Sequence, residues 1–354
     1  MISGVTELAQ LTGKIRIAVC GCGHIGKRHA EMIHRHDGLE VSAIIDTEMR
    51  AALSKEYGAL YFPSLESFIM REEWDKSKSD AVAIATPNGM HYEQTILCLQ
   101  SGYDVIVEKP LCFTKVQAEH IVAESTKNNR RVFCVMQNRY SPPSTWFKEL
   151  VESDVLGSIY LVQLNCMWNR DERYYNEDTW HGDKELDGGS LYTQFSHFID
   201  LMYWYFGDIC NIKGAVADFN HQKLTDFEDT GSFVFDFIEG GMGTFTFTTA
   251  VHEENLQSNI TVIAENGSVK IGGQYMNEVE YCNIKHYNMP ELEPTNEAND
   301  YGPYKGSAAN HCYVYDNVYQ HMLTPDVPIS CNMFEGMKVI DIIERLYSVT
   351  STIK

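Results

Sequence analysis

A glycine turn that joins a buried strand to a helix is the feature that most constrains the fold. Residues 14–20 alternate and then run apolar, as a first buried strand does, and the next six residues read Gly-Cys-Gly-His-Ile-Gly. The first glycine of such a turn permits the tight bend, the second lets the backbone approach a pyrophosphate, and the third allows close packing of helix on strand. The residues predicted to contact a dinucleotide here are Gly21, Gly23, His24, Ile25 and Gly26.

An acidic residue in the right place strengthens this prediction. Residues 40–45 are strand-like and end at Asp46, about 20 residues beyond Gly26, where a carboxylate accepts the ribose hydroxyls of a dinucleotide. No basic residue stands immediately after Asp46, which favours NAD over NADP. The alternative is a glycine turn that binds nothing.

Three further apolar runs, at 81–86, 103–107 and 131–136, each end in a polar turn. Strands that alternate with helix-length segments specify a parallel, doubly wound α/β sheet, whose ligands bind at the carboxyl ends of the strands. We therefore predict an N-terminal Rossmann domain over residues 1–137.

The pattern changes after the Pro142-Pro143 pair. Strand-like segments now follow one another with hairpin-type breaks, at 159–168, 231–238, 243–251, 258–264 and 268–271. Helical spacing is confined to about 190–206 and 334–347. We predict a C-terminal α/β domain over residues 138–354, built on an open, mostly antiparallel sheet with one face exposed to solvent or covered by another subunit.

The charge balance excludes two classes of partner. The chain has 28 basic and 49 acidic side chains and a formal net charge of −21, which repels nucleic acid and anionic membranes. The ten cysteines are scattered without a Cys-x-x-Cys pair, so we expect reduced thiols and no metal site. The N-terminus lacks a signal-peptide pattern and no apolar run is long enough to span a membrane, so we expect a cytoplasmic protein.

Polar residues at the ends of the predicted parallel strands are candidates for chemistry. Lys109 follows the run 103–107, and a lysine there can hydrogen-bond the carbon–oxygen group that exchanges hydride with a nicotinamide. Pro110 stiffens the backbone after it. The alternative is a surface lysine before a loop proline. After the run 81–86, Thr86 and Asn88 would lie under the cofactor's ribose, although Asn88 could equally cap a helix.

The segment from 187 to 200 carries a second candidate. Gly188-Gly189 allows a ligand close to the start of a helix, and Thr193 and His197 would share one face of that helix at i, i+4. A histidine on a polar helix face can serve as the acid or base that moves the substrate's hydroxyl proton. The alternative is a structural histidine.

Together these features resemble the glucose–fructose oxidoreductase / inositol dehydrogenase / MocA (Gfo/Idh/MocA) family over nearly the whole chain. The motifs that carry the resemblance are Gly21-x-Gly23-x-x-Gly26, Thr86-Pro87-Asn88 with His91, Glu108-Lys109-Pro110, and Gly188-Gly189 leading to His197-x-x-Asp200. The resemblance implies assembly into a homodimer or homotetramer, here expected through the C-terminal sheet. Many inositol- and glucose-type members carry an aspartate where this chain has Thr193, which leaves Lys109 and His197 as the working catalytic pair.

Other segments resemble one branch of that family, the UDP-N-acetylglucosaminuronate 3-dehydrogenases of bacterial surface-polysaccharide pathways. These segments are 137–143 (QNRYSPP), 168–170 (WNR), 174–175 (YY), 180–182 (WHG) and 304–311 (YKGSAANH). Arg139 and Arg170 can pair with carboxylate or phosphate, and residues 306–311 offer donors for a diphosphate. The alternative is that residues 306–307 start a helix and the aromatic side chains are core.

The resemblance implies NAD-dependent oxidation of the C3 hydroxyl of a nucleotide sugar. The predicted cofactor-binding residues are Gly21, Gly23, His24, Ile25, Gly26, Asp46, Thr86, Asn88, His91, Glu108, Lys109 and Gln137. The predicted substrate-binding residues are Lys109, Asn138, Arg139, Arg170, Thr193, Gln194, His197, Ser307, Asn310 and His311. Two alternatives stay open: a dehydrogenase of a free sugar or inositol, and a sugar-sensing binding protein without catalysis.

Overall fold

The computed structural model describes residues 13–75, 78–176, 179–300, 302 and 304–352. The strands are β1 (Ile15–Cys20), β2 (Leu39–Ile45), β3 (Leu60–Phe62), β4 (Ala81–Ile84), β5 (Asp104–Val107), β6 (Val132–Cys134), β7 (Ile159–Met167), β8 (Ile209–Ala217), β9 (Thr230–Phe237), β10 (Met242–Thr248), β11 (Gln257–Ala264), β12 (Gly267–Gly272), β13 (Glu278–Ile284), β14 (Ala298–Asp300), β15 (Lys305–Ala308) and β16 (Thr350–Thr352). The α-helices are α1 (His24–Arg35), α2 (Ala51–Tyr57), α3 (Leu65–Asp75), α4 (His91–Gln100), α5 (Lys115–Asn128), α6 (Pro142–Glu152), α7 (Lys184–Asp187), α8 (Ser190–Thr193), α9 (Ser196–Phe206), α10 (His311–Leu323) and α11 (Met333–Ser348). Short 3₁₀ turns cover Asn88–Met90 and Gln137–Tyr140.

The chain divides into two compact units. The first comprises Met1–Cys112, Val116–Met136 and His311–Met337, and the second comprises Phe113–Lys115, Gln137–Asn310 and Lys338–Lys354. The late segment that begins with α10 therefore packs with the N-terminal part of the chain, whereas the sequence placed all of 138–354 in one domain. The physical reason is a set of side-chain contacts from α10 to His29 in α1 and to Glu108 directly after β5, described below. The boundary between 137 and 138 stays a prediction.

A six-stranded parallel sheet forms the centre of the first unit, in the order β3-β2-β1-β4-β5-β6. The predicted doubly wound Rossmann sheet is confirmed. Its middle strands β4 and β5 are buried along their whole length, which explains why they are continuous apolar runs. Strand β3 was not predicted, because it has only three residues and Leu60 is exposed. The strand order reverses between β1 and β4, where doubly wound sheets bind ligands.

The second unit is built on an eight-stranded sheet in the order β13-β12-β11-β7-β10-β9-β8-β16. Its neighbours are antiparallel except for the pairs β7–β10 and β8–β16, so the predicted mostly antiparallel sheet is confirmed. One face carries a buried layer of aromatic side chains, among them Phe233, Phe245 and Phe247. The alternate residues of the same strands, such as Val234 and Met242, are exposed on the other face.

The helix predicted for residues 190–206 is broken, and the prediction of one continuous helix is wrong. Helix α8 ends at Thr193 and α9 begins at Ser196. At the break the amide of Phe195 donates to Ser190 O at 3.1 Å, one residue beyond the α-helical acceptor. The Phe195 ring packs against Trp168 in the buried layer, so tertiary packing overrides helical propensity here.

The segment 306–307 does not start a helix, since it lies within strand β15, and the following helix begins at His311. None of the helices in the described ranges combines the length and the hydropathy needed to cross a bilayer.

Candidate active site

The three glycines of the turn after β1 meet three different constraints. Gly21 has φ +84°, and a Cβ atom there would lie 2.7 Å from the Ala85 carbonyl at the end of β4. A Cβ on Gly26 would lie 1.7 Å from Gly21 O, so only glycine fits. A Cβ on Gly23 would have nothing within 4 Å. The first and third glycines are therefore required by packing, and the second leaves open space at the start of α1.

This open space suits a dinucleotide. Gly23 is the N-cap residue of α1, and no side chain caps the first turn of that helix. The backbone N–H groups and the helix dipole there are suited to a pyrophosphate. Asp46, at the end of β2, accepts a hydrogen bond from Cys22 N at 2.7 Å, so its carboxylate lies beside the turn as predicted. Arg50 Nε lies 3.4 Å from that carboxylate, and Arg50 Nη1 lies 3.0 Å from Glu48 Oε2.

Two of the ten cysteines flank Gly21. Burial raises the pKa of the Cys20 and Cys22 thiols to about 12, so neither is a thiolate at neutral pH. Seven of the ten cysteines are buried, and Cys210, Cys282 and Cys312 are partly buried; no disulfide joins any of them in the described part of the chain.

His91 joins the two loops that follow β4 and β5. Its Nδ1 lies 2.7 Å from Pro110 O and its Nε2 lies 3.0 Å from Thr86 O, and the ring is fully buried. Burial lowers the pKa of His91, while the two carbonyl oxygens favour the charged form and oppose that shift. Because each ring nitrogen faces a carbonyl, this side chain connects the two loops. A direct contact between His91 and the cofactor stays a prediction.

Lys109 stands at the carboxyl end of β5, one strand from the point where the strand order reverses. It is half-buried, its amide donates to Glu108 Oε2 at 3.1 Å, and the peptide bond to Pro110 is cis. Thr86 lies after the neighbouring strand β4, where its hydroxyl donates to Gln94 at 2.6 Å. Asn88 is buried in the 3₁₀ turn before α4. The predicted strand-end residues of the first unit therefore share one edge of the sheet.

His197 lies in the first turn of α9 and is 2% exposed. Thr193 ends the preceding helix, so the predicted i, i+4 relationship of the two residues within one helix does not form. The Thr193 hydroxyl instead donates to the Asp187 carboxylate and to Asp187 O. Asp187 is buried and also accepts from Gly182 N at 3.0 Å. Sequence reasoning missed this carboxylate, whose only signal was its place directly before Gly188.

The two arginines predicted to bind substrate anions both have partners inside the second unit. Arg139 Nε and Nη2 donate to the two oxygens of Asp200 at 2.8 and 2.6 Å. Arg170 donates to Gln194 Oε1 at 2.8 Å and to Asn169 O at 2.6 Å. Both guanidinium groups are buried.

Aromatic rings complete the surroundings of Arg170. Its guanidinium carbon lies 4.7 Å from the ring centre of Trp168, 5.0 Å from that of Tyr174 and 5.2 Å from that of Tyr304. Cation–π contacts of this kind stabilise a buried guanidinium. Gln194, which the sequence assigned to the substrate, instead holds Arg170 and accepts a hydrogen bond at 2.8 Å from its Nε. The substrate-binding roles of Gln194 and the two arginines stay predictions.

The amides predicted to bind a diphosphate form a buried cluster in the second unit. Asn310 Nδ2 donates to Gln137 O at 3.3 Å, Gln137 Nε2 to Ser307 at 3.4 Å, and Ala308 N to Asn138 at 3.4 Å. The Gln137 Oε1 and Asn138 Nδ2 atoms are buried without a hydrogen-bond partner among the described residues. These two atoms are the part of the cluster that could still bind a ligand.

A hollow of about 330 Å³ lies beside this cluster, lined among others by Asn296, Glu297, Asp300 and Lys305. Asn296 links the hollow to the cluster, since its Nδ2 donates to Asn310 Oδ1 at 2.7 Å. Two carboxylates against one ammonium make the hollow a poor site for a diphosphate. His311 does not belong to the amide cluster, because its ring packs in the first unit, 3.1 Å from Glu108.

Known protein families match the part of the chain that forms the parallel sheet and much of the part that forms the mostly antiparallel sheet. The model of an oxidoreductase family with an NAD-binding Rossmann fold (GFO_IDH_MocA) matches residues 15–136, and the model of the GFO/IDH/MocA C-terminal domain matches residues 145–270. The crystal structure of the WlbA dehydrogenase from Bordetella pertussis, in complex with NADH and UDP-GlcNAcA, superposes with a TM-score of 0.81 at 29% identity and covers 95% of this chain and 96% of that one. The WlbA dehydrogenase from Chromobacterium violaceum, also in complex with NADH and UDP-GlcNAcA, gives 0.81 at 26% identity, covering 95% and 93%.

Curated relatives match over shorter stretches. The D-glucoside 3-dehydrogenase of Escherichia coli is 26% identical over 232 residues, which are 64% of this chain and 63% of that protein. The match to another curated oxidoreductase, from Streptococcus pneumoniae, spans only half of its length.

Proposed function

The chain belongs to the Gfo/Idh/MocA oxidoreductase family, and from this premise we propose that it oxidises the C3 hydroxyl of a UDP-N-acetylglucosaminuronate-type nucleotide sugar to the 3-keto sugar. Its cofactor is NAD. The observation that carries the proposal is the superposition on the Bordetella pertussis dehydrogenase at 29% identity, since that protein holds NADH and UDP-GlcNAcA. We propose the same surface-polysaccharide context, and the cytoplasm as the location.

The residues of this chain fit the cofactor. The open space at Gly23, at the uncapped start of α1, leaves room for a pyrophosphate. The carboxylate of Asp46 provides an acceptor for the ribose hydroxyls. When bound, NAD supplies the acceptor for the hydride that leaves C3. Only the proton of the hydroxyl then remains for the protein to move.

We propose that His197 accepts that proton and that Lys109 hydrogen-bonds the substrate oxygen. His197 accepts the hydroxyl proton on its imidazole as the C3–H bond breaks. Lys109 donates a hydrogen bond from its ammonium to the oxygen, and this bond strengthens as negative charge develops there. The products are a 3-keto sugar, NADH and a protonated histidine, so charge and hydrogen atoms balance. Asp187 is buried, and its carboxylate accepts a hydrogen bond from the Thr193 hydroxyl at the end of α8.

A free sugar or inositol is the second candidate, and one observation favours it. Arg139 and Arg170, which were expected to bind the anionic groups of a nucleotide sugar, are paired within the protein. A D-glucoside 3-dehydrogenase is also among the relatives. A sugar-sensing protein without catalysis has less support, because both Lys109 and His197 are present.

We further propose that the exposed face of the eight-stranded sheet joins subunits into a homodimer or homotetramer. Val234 is 38% and Met242 50% exposed on this face, amid threonine and serine side chains that can form a close-packed contact. Light scattering at micromolar concentration tests this assembly, with Met242→Lys as the disrupting variant.

Mass spectrometry of the purified protein under non-denaturing conditions tests the proposed function. Bound NAD together with a UDP-linked uronate would support it. A protein that retains NAD with an unmodified cyclitol or hexose would support the second candidate instead.

A further inference from the structure

Glu108, the residue before Lys109, is the centre of a buried network that the proposed mechanism does not use. Its Oε1 accepts from His29 Nε2 at 3.0 Å and from His311 Nε2 at 3.1 Å. Its Oε2 accepts from the amide of Lys109 at 3.1 Å. The side chains of the two histidines are 0% and 1% exposed and that of Glu108 is 8% exposed. Three elements of the first unit, α1, the end of β5 and α10, therefore meet at one carboxylate.

The contacts fix where the protons are. Each histidine faces a carboxylate oxygen through Nε2, so Nε2 carries the hydrogen in both rings. His29 Nδ1 can then accept from the Tyr315 hydroxyl at 2.6 Å. His311 Nδ1 is buried without a hydrogen-bond partner among the described residues, and a second N–H there would be left unsatisfied. Burial accordingly lowers the pKa of His311.

Glu108 is the charged member of the network. Burial alone would raise the pKa of its carboxyl, but the hydrogen bonds from His29 and His311 outweigh that effect and hold the pKa well below its usual range. The network thus consists of one carboxylate and two imidazoles, each of which donates to that carboxylate through Nε2. Its single negative charge lies in the residue that precedes the proposed catalytic lysine.

A metal ion is the alternative occupant, because one ligand atom from each of His29, Glu108 and His311 lies within 4.8 Å of the others. Two observations favour hydrogen bonds. The separations of 3.0 and 3.1 Å are ordinary N–H···O distances, whereas tetrahedral ligands about 2.0–2.1 Å from zinc lie roughly 3.3 Å apart. A metal would also move the His311 proton to Nδ1, which has no acceptor among the described residues.

We propose that Glu108 is a positioning residue for hydride transfer: it fixes the backbone of Lys109, and His29 and His311 fix Glu108. This inference rests on the proposed role of Lys109. A displacement of about 1 Å at a reacting group costs up to about 10²-fold in rate, so a network that touches no substrate can control kcat. Helix α1, which follows the glycine turn, contributes His29 to this network. The position of Lys109 therefore depends on the helix whose first turn is proposed to bind the cofactor.

Five variants separate positioning from general damage. Glu108→Gln keeps the shape but replaces one acceptor oxygen by a donor. His311→Leu removes the N–H donor, and His311→Gln restores one at a similar reach. Tyr315→Phe is the matched control, because it deletes a buried group that contacts His29 and not Glu108. Lys109→Met identifies the lysine's own NMR signal.

The first readout is single-turnover hydride transfer together with NADH affinity. Glu108→Gln and His311→Leu should slow transfer about 10- to 100-fold with NADH affinity unchanged, while His311→Gln recovers most of the rate and Tyr315→Phe stays near wild type. Glu108→Gln at the wild-type rate would overturn the proposal. The proposal would also be wrong if every variant lost hydride-transfer rate in parallel with NADH affinity.

The second readout does not depend on the substrate. ¹⁵N spectra should place the proton on Nε2 of His29 and His311, and the ¹³Cε signal of Lys109 should shift in Glu108→Gln and His311→Leu but not in Tyr315→Phe. An unchanged Lys109 signal, or a stoichiometric metal in elemental analysis, would refute the proposal. If the wild type oxidises no nucleotide sugar, the proposed function fails, and these spectra still decide the role of Glu108.

Discussion

Arg139 and Asp200 form a bidentate ion pair whose two side chains are each 1% exposed. The arginine follows β6 in a 3₁₀ turn and the aspartate lies one helical turn beyond His197 in α9. The His197-x-x-Asp200 spacing thus connects the proposed base to a buried structural pair of the same unit. The ion pair with Asp200 fixes the Arg139 guanidinium within the second unit, in addition to its other contacts.

Removing one partner of this pair should destabilise the protein. Asp200→Asn leaves the Arg139 charge buried without its counter-ion, which typically costs about 3–5 kcal/mol of unfolding free energy. Asp171→Asn is the matched control, since its partner Arg173 is exposed and the loss there should be much smaller. Urea unfolding measures both. Equal losses of unfolding free energy in the two variants would show that the buried pair stabilises the protein no more than the exposed pair does.

Lys109→Met should retain NADH binding and lose hydride transfer. Only the developing charge on the substrate oxygen requires the ammonium, so we expect a loss of about 10²-fold or more in kcat. Fluorescence titration of NADH and single-turnover kinetics separate the two effects. Lys55→Met, an exposed lysine on α2, serves as the control. A Lys109→Met enzyme within a few-fold of wild type would remove the lysine from the mechanism.

Asp46 should determine the choice between NADH and NADPH. Its carboxylate lies beside the glycine turn and would repel a 2′-phosphate. Asp46→Ser removes the repulsion and releases Arg50, which lies 3.4 Å from it, so the variant should bind NADPH better and NADH worse. Dissociation constants for both cofactors provide the test. Tighter NADPH binding by the unmodified protein would contradict this role.

Glu228 should make the fold less stable at high pH. Burial raises the pKa of its carboxyl to about 7, with the Tyr347 hydroxyl donating to it at 2.6 Å. The unfolded carboxyl ionises near its ordinary value of 4.5, so stability is intact below that pH and falls as the pH rises towards 7. The loss amounts to about 3 kcal/mol at pH values above the folded pKa.

Glu228→Gln keeps an acceptor for Tyr347 without the charge. The variant should match the wild type near pH 4.5 and exceed its unfolding free energy at pH 8, as measured by urea unfolding at both pH values. A difference that does not depend on pH would mean that Glu228 is charged in the fold without cost.

Local patterns were sufficient to predict five of the six strands of the first sheet, all except β3. The glycine turn, Asp46 and the buried runs each act within one strand–turn–helix unit, and parallel packing makes such strands apolar throughout. The alternation in β9 and β10 likewise predicted an antiparallel sheet with one open face. These features depend on residues that are close in sequence.

The partners of the site residues could not be predicted in the same way. His311 meets Glu108 across 203 positions and Arg139 meets Asp200 across 61. The break between α8 and α9 depends on the packing of Phe195 against Trp168. No local pattern records such pairs. The sequence assigned Arg139 and Arg170 to the substrate, and it could not show that each also has partners within the fold.

A comparison of three compounds as substrates tests whether the protein oxidises a nucleotide-linked uronate. NADH formation should be followed with UDP-N-acetylglucosaminuronate, UDP-N-acetylglucosamine and myo-inositol, each over a range of concentrations with saturating NAD. We expect the highest kcat/KM for the uronate, because binding energy from the nucleotide and the carboxylate helps to align C3 for hydride transfer. If inositol is turned over best and the uronate is not measurably oxidised, the proposed substrate is wrong.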